Sequence, residues 1–521
     1  MTGPRRLVVR SARVVDPDTP SRLADVVVED RVVADIVGAG AAAIDGDTTV
    51  IDGSDHLLLP GAINSHTHSG QHLDRGVAPP LPLDHWLMWV VHGGLELGPE
   101  EAHTLAIAGA IEMLESGCTA VLDQVWVPPG EVAAHTDSIM DAYAEVGLRA
   151  VVAPMVQDRD ILESLLLAPD RPRPAPLTDA VPAEDLAAEV ETFVTTWLGA
   201  RHGLVPAIGP SAPQRCSDEL LTRLASIRRR HDVPFHTHVL ETRDQVVATR
   251  RRYGRSVVAH LDDLDLLGSW ASLAHGVWMD ADEFSTVQER SATIVHNPVS
   301  NLRCGSGLLP LAGLLEGGVS VALGADGAAS NDAQNMFEVM KIAALIQTMS
   351  GAHRSWPDAV DVWRACLHGG ARALVQPTGA PGGLGTIRPG AAADLVLVDD
   401  ARHPLDHEEA LIRSLVLAER GDGVRTVIVG GRVVVESGRV TSVDRRAAMR
   451  RSRQLQQRIH AEATERATFY ERHRELLDAA HLHATSLPCP VERRARITPA
   501  FEVPHTLAPH HRAHLGPEGG V

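Results

Sequence analysis

Lysine is almost absent from this chain. Among 521 residues Lys341 is the single one, and every other permanently charged basic side chain is arginine. Any chemistry that needs a lysine elsewhere is therefore excluded. Paired cysteines are lacking too. Cys118, Cys216, Cys304, Cys366 and Cys489 are scattered, with no CxxC spacing. That argues against a cysteine metal site or a disulfide framework and for a reducing compartment, so a cytoplasmic location is expected. No run of 18 or more apolar residues occurs, and no membrane span is expected. The N-terminus enters a Val-rich strand pattern at once, without a basic region leading into a leucine-rich core, so no secretory signal is expected. A formal net charge of −19 disfavours nonspecific binding to nucleic acid or to an anionic membrane.

What is present is length and alternation. A chain of 521 residues is long for one ordinary domain. It accommodates a barrel of about 250 residues with a satellite domain, and such a core needs no disulfides. Residues 5–60 read as short strands at Leu7–Arg10, Ala24–Glu29, Val32–Val37 and Val50–Ile51, punctuated by Asp, Pro and Gly. Residues 391–440 read the same way, at Ala393–Val398, Thr426–Val429 and Arg432–Glu436, with Gly430-Gly431 as a tight turn. Two such segments at opposite ends of the chain are expected to pair into one small β domain, assigned to residues 1–60 and 386–445.

Between them, residues 61–385 alternate strand and helix patterns. Strands are expected at Ala120–Asp123, Leu148–Ala153, Leu204–Gly209, Val233–His238, Ser272–His275, Thr293–His296 and Ser320–Asp326. Helices are expected at Glu100–Glu115, Asp218–Arg230 and Met336–Thr348. Alternating βα units imply a parallel sheet. With the strand before His66 the count is eight, the number of a (β/α)8 barrel. The Pro-rich stretch 169–182 reads as a surface excursion. Residues 446–521 form a tail, helical at first and then irregular and rich in Pro and His. It reads as an arm over the body or over a neighbouring subunit, which suggests a homodimer or higher homo-oligomer. Its histidines, His505, His510, His511 and His514, read as solvated rather than metal-binding.

Catalytic groups of a barrel gather where strands end. Here His66-Thr67-His68 follows the apolar run Leu57–Ile63, His238 closes Val233–His238, His275 closes Ser272–His275, and Asp326 closes Val321–Asp326. An HxH in a strand puts both side chains on one face. Alone that is only a spacing, and a lone strand-end Asp is a turn or helix cap. Four strands ending alike make a constellation. Neutral imidazoles with a carboxylate suit zinc, iron or another first-row divalent ion. Three histidines leave a coordination position open for water. Glu241, three residues beyond His238, stands where a carboxylic acid could shuttle protons. His236 shares the face of His238, as a supporting or a packing residue.

These residues resemble a known family. Pro60-Gly61-Ala62-Ile63-Asn64-Ser65-His66-Thr67-His68 resembles the opening motif of the amidohydrolase superfamily. His238-Val-Leu-Glu241-Thr, Leu273-Ala-His275-Gly, His296-Asn-Pro-Val-Ser-Asn301 and Gly324-Ala-Asp326-Gly-Ala-Ala-Ser-Asn331 are similar to its deaminase and triazine-hydrolase branch. That branch holds adenosine-derivative, guanine and 8-oxoguanine deaminases and s-triazine hydrolases. The resemblance covers roughly residues 5–440 and leaves the tail outside. It implies a distorted TIM barrel with a small β-sandwich. It implies one metal ion, Zn2+ with Fe2+ as the alternative, held by His66, His68, His238 and Asp326. Glu241 would protonate a ring nitrogen, while His275 and Asp326 would orient and deprotonate the water. Binuclear relatives bridge two metals through a lysine on the fourth strand. Lys341 lies past the eighth, so a lysine-bridged site is ruled out.

Two positions bear on the substrate. Nucleoside deaminases of the family carry Gly-Pro-His after the fourth strand, where this chain reads Gly209-Pro210-Ser211. Gln71 matches a glutamine that reads a lactam edge in guanine-type deaminases; an amide offers one donor and one acceptor. It reads equally as a surface glutamine. Arg75 matches an arginine common in that loop. Trp86 and Trp89 could wall the pocket or fill core. The expectation is hydrolytic deamination of a purine-, pterin- or triazine-like ring. Loss of chloride or alkylamine, an adenosine-derivative substrate, and a non-catalytic scaffold are the alternatives.

Overall fold

The computed structural model describes residues 6–92, 97–349, 353–375 and 382–495. The histidines of the extreme tail lie outside them. Eight parallel strand segments follow one another in chain order. They are β1 (Ala62–Thr67), β2 (Cys118–Trp126), β3 (Arg149–Val156), β4 (Leu204–Pro206, continued by Gly209–Pro210), β5 (Phe235–Val239), β6 (Ala271–His275), β7 (Thr293–His296) and β8 (Val321–Leu323). Strands β1 to β4 form one hydrogen-bonded sheet and β5 to β8 another. The sheets meet at two edges. Ile208 bridges to Phe235 in parallel, and the Asp326 N–H donates to the His66 carbonyl at 2.8 Å. Most strand residues are buried on both faces, β1 completely, which is why they read as continuous apolar runs rather than alternating ones.

Helices fill the connections, including Pro99–Glu115, Val132–Val146, Ala183–Trp197, Asp218–His231, Arg243–Tyr253 and Ala281–Glu289. Asp218–His231 shows the local logic. Ser217 caps its N-terminus by accepting from the Leu220 N–H, acids open it, and Arg228 to His231 close it. The expected fourth strand, Leu204–Gly209, is broken. Pro206 and Pro210 carry no N–H, so β4 pairs with β3 in two short pieces. The eighth is shorter than expected, because the chain leaves the sheet at Gly324. A Cβ there would stand 2.8 Å from the His66 Cβ.

Strands from the two ends of the chain pair with one another. Strands from residues 6–60 and 395–440 join in one nine-stranded sheet, Leu395–Asp399 lying antiparallel to His56–Pro60. Gly430 and Gly431 both adopt positive φ in the hairpin turn. The sheet is fastened to the base of β3 by Arg149, whose Nε and Nη2 donate to the two carboxylate oxygens of Asp394 at 2.9 and 2.8 Å.

Beyond this sheet the chain forms two helices, Arg445–Ala461 and Ala463–Ser486. The second packs on the segment after β1. Tyr470, Leu477 and Ala480 share an apolar cluster with Met88, Ile161 and Leu165. Arg243 donates to the carbonyls of Ala484 and Leu487 and so closes the helix end. Residues 169–182 form an exposed loop. Among the described residues, no helix is long and apolar enough to cross a membrane.

Candidate active site

The polar strand ends meet at one place. One ligand atom each from His66, His68 and His238 lie within 4.8 Å of one another, and so do those of His66, His275 and Asp326. Asp326 Oδ1 stands 3.4 Å from His68 Nε2 and 3.7 Å from His66 Nε2. The Nε2 atoms of His68 and His238 are 3.3 Å apart.

Backbone carbonyls decide which nitrogen faces inward. His68 Nδ1 donates to the Gln124 carbonyl at 2.5 Å, and His238 Nδ1 donates to the Ser211 carbonyl at 2.6 Å. Each ring thereby carries its proton on Nδ1 and turns a lone pair on Nε2 toward the centre. His66 is set by a side chain instead. Its Nδ1 lies 2.8 Å from His236 Nε2, and His236 Nδ1 lies 2.7 Å from Ser272 Oγ. A relay of N–H donors from His66 to His236 to Ser272 frees His66 Nε2, which is buried without a partner. His236 thus supports His66 rather than merely packing.

This donor set fits a divalent metal ion. Burial, with the neighbouring imidazoles, holds His66 and His238 well below the ordinary histidine range. At neutral pH they are neutral, the form that binds metal. The set is three imidazole nitrogens and a carboxylate, donors that suit zinc or iron.

His275 and Asp326 both take left-handed backbone conformations, φ 72° and 66°. Such conformations are costly for residues other than glycine and turn these side chains out of the strand line. His275 Nε2 lies 3.7 Å from Asp326 Oδ2 and 3.6 Å from Glu241 Oε2. Its Nδ1 is held by Asn301 Oδ1 at 2.9 Å. Glu241 is 3% exposed. It accepts from Ser306 Oγ at 2.9 Å. Burial pushes its carboxyl up, against the pull of His275.

Gln71, Trp86 and Ser211 line one cavity with His68, His238, Glu241, His275 and Asp326. Its empty space is about 650 Å³, open solvent at its mouth included. Gln71 Oε1 is buried there without a partner, as a reader of a polar ring edge would be. Trp86 presents its ring while Nε1 donates to the Ala329 carbonyl. Trp89 packs on Tyr470 instead, ring centroids 5.6 Å apart. Arg75 pairs with Glu112 at 2.5 Å outside the cavity. Lys341 sits on the helix Met336–Ile346, also outside it.

Sequence reasoning passed over several groups. Gln334 accepts from Asn64 and Thr67 and donates to the Asp326 carbonyl at 2.6 Å, stapling β1 to the loop after β8. Asp123 accepts from the Ser69 N–H and from the Tyr143 hydroxyl, fixing the turn after His68. Arg215 also lines the cavity. Its one sequence signal was to be the charged residue nearest Ser211 in a stretch already singled out.

Comparison with known proteins places this geometry. A family model described as amidohydrolase family matches residues 57–434. A 5'-deoxyadenosine deaminase of Methanothermobacter thermautotrophicus is 33% identical over 436 residues, covering 82% of this chain and 93% of that protein. A 5-methylthioadenosine/S-adenosylhomocysteine deaminase of Thermococcus kodakarensis is 33% identical over 418 residues, 79% of this chain and 89% of its own length. An adenosine deaminase from Xanthomonas campestris, solved with bound zinc, superimposes with a TM-score of 0.76 at 27% identity, covering 87% of this chain and 98% of that one. An atrazine chlorohydrolase from Arthrobacter aurescens TC1 shares the fold, with a TM-score of 0.76 at 24% identity over 86% of this chain and all of that one. The chain belongs to the amidohydrolase family.

Proposed function

We propose that this amidohydrolase-family chain is a hydrolytic deaminase of an aminated nitrogen heterocycle, with one divalent metal ion held by His66, His68, His238 and Asp326. The observation that carries the reading is Glu241. A buried carboxyl with a raised pKa stands beside His275 and Asp326 on the wall of one cavity. Zinc is the favoured ion, supported by the zinc-bound relative at 27% identity. Bound there, the ion would act as a Lewis acid and make water nucleophilic near neutral pH.

The chain's own residues perform the remaining steps. Gln71, Trp86 and Ser211 seat the ring with its amino-bearing carbon toward the histidines. Glu241 donates its proton to the ring nitrogen beside that carbon. His275 and Asp326 take a proton from the attacking water. Oxygen adds to the carbon, the C–N bond to the amino group breaks, and the returned proton lets ammonia leave. The departing amine needs the proton that His275 and Asp326 return, whereas chloride would leave without one.

The relatives named above deaminate adenosine derivatives by name, whereas Ser211 and Gln71 favour a free ring. Ammonia release from metal-loaded protein tests both, using 5'-deoxyadenosine, 5'-methylthioadenosine, guanine, pterin and a chlorotriazine. Ammonia from any amino ring, at one metal per chain, is the expected result. Chloride from the triazine with no ammonia from any ring overturns the deaminase reading. The reading includes a closed (β/α)8 barrel over residues 61–385, a composite β-sandwich from 1–60 and 386–445, and the tail 446–521. The parallel pairing and the two-ended sheet support it. A cytoplasmic homo-oligomer belongs to the same reading, and light scattering tests the assembly.

A further inference from the structure

Four arginines are buried among the described residues: Arg149, Arg215, Arg228 and Arg466. Three have a carboxylate within reach. Arg149 pairs with Asp394 at 2.8 Å, Arg466 with Asp74 at 2.8 Å, and Arg228 lies 3.9 Å from Asp232 and covers the Trp270 ring at 3.8 Å. Arg215 is the exception. It is 9% exposed and stands in the short turn Pro213–Arg215, just past the second piece of β4. Its Nε is enclosed without a partner. No described carboxylate lies within 4.0 Å of its guanidinium. Asp84 and Glu241 are the acids that act on it from farther away.

Arg215 forms part of the cavity wall, together with Ser211, Gln157, Gln245 and Glu241. Burying a permanent cation costs far more than burying an amide. A cavity that had only to read neutral ring edges is already served by Gln71, Gln157 and Gln245. An unpaired arginine among them calls for an anion. Its planar fork matches a carboxylate or phosphoryl group through two parallel N–H bonds.

We infer that Arg215 is a specificity determinant that binds an anionic oxygen substituent, carboxylate or phosphoryl, borne by the heterocycle away from the carbon that loses its amine. The inference rests on the deaminase reading of the same cavity and names the class of substrate it takes. The substituent lies against Arg215 while the ring faces Glu241 and the histidines. Neutral rings fill the same space without satisfying the guanidinium.

Calorimetric binding to metal-loaded protein tests this with ligand pairs that differ in the anionic group. The pairs are pterin and pterin-6-carboxylate, 5'-methylthioadenosine and S-adenosylhomocysteine, and adenosine and adenosine 5'-phosphate. Ammonia release is followed on the same samples. The expected result is a preference of about 10- to 100-fold for the anionic member of at least one pair, the worth of a charge-assisted hydrogen bond. In Arg215→Met and Arg215→Gln, two variants checked for intact melting, that ratio falls to within about threefold of unity. Which pair responds tells carboxylate from phosphoryl. An equal ratio in wild type and variants, or no preference in any pair while ammonia is still released, overturns the role of Arg215 and leaves the deaminase standing. No binding and no ammonia from any ring overturns both.

Discussion

The two ends of the parallel strands pair their buried polar groups to different degrees, although Arg149 Nη1 at the N-terminal end is also enclosed without a partner. At the N-terminal end, Arg149 opens β3 and gives two hydrogen bonds to Asp394, which also accepts from the Gly430 N–H at 2.8 Å. At the C-terminal end, His66 Nε2 and Gln71 Oε1 are enclosed without partners, and His275 and Asp326 hold costly left-handed conformations. A buried polar atom left unpaired costs roughly 1–3 kcal/mol. Such costs persist where a ligand completes the shell. One end is therefore built to hold the chain together, and the other to hold something else.

The comparison breaks if mutations at the two ends act alike. The largest expected effect is from His238→Ala, which removes a ligand atom. Metal content should fall to background and turnover by roughly 10³-fold or more, with the melting of the metal-free protein little changed. Glu241→Gln comes next. It should keep the metal while turnover drops about 10²–10⁴-fold; elemental analysis beside single-turnover kinetics separates the two, and an active variant would refute the proton role.

Arg149→Met is the counterpart at the other end. It strands Asp394 in the interior and should cost about 3–5 kcal/mol in urea unfolding, while metal content and turnover of the folded enzyme stay within about twofold. Loss of metal in this variant would erase the distinction between the ends.

The smallest effect concerns pH. Glu419 is buried, which pushes its carboxyl up. The hydrogen bond from His403 at 2.9 Å and the N–H groups of Arg420 and Gly423 outweigh this and bring it from 4.5 down to about 2. A depressed carboxylate contributes stability above its unfolded pKa and loses it as pH falls through the folded one. Stability should therefore decline between about pH 4.5 and 2, and Glu419→Gln should flatten that part of the acid unfolding curve.

Much of the fold was legible because apolar runs end in polar residues at regular intervals. Thr293–His296 matches its expected bounds, and the helices Glu100–Glu115 and Asp218–Arg230 are each displaced by only one residue at one end. Where local pattern misled, a backbone cause is visible. Prolines divide β4, and Gly324 ends β8 early to let His66 pass. The α-helix that starts at Leu83 stops at Leu87 and continues as a wider π turn over Met88–His92. That segment leans on Tyr470 and Leu477, almost 400 residues later in the chain, so no local window could have shown it. Arg215 was passed over for a related reason. Its oddity is the lack of a partner, and a partner is a fact of three dimensions.

The sequence by itself determined which chemical groups stand at the strand ends, because strand length and apolar patterning place His66, His68, His238 and His275 where the strands run out. It also excluded a lysine bridge, since Lys341 is the sole lysine. Only the tertiary structure decided which imidazole nitrogen faces the centre, because the carbonyls of Gln124 and Ser211 and the ring of His236 come from other strands. The same holds for the cavity wall, where Gln71, Trp86, Ser211 and Arg215 are brought together by packing between distant segments.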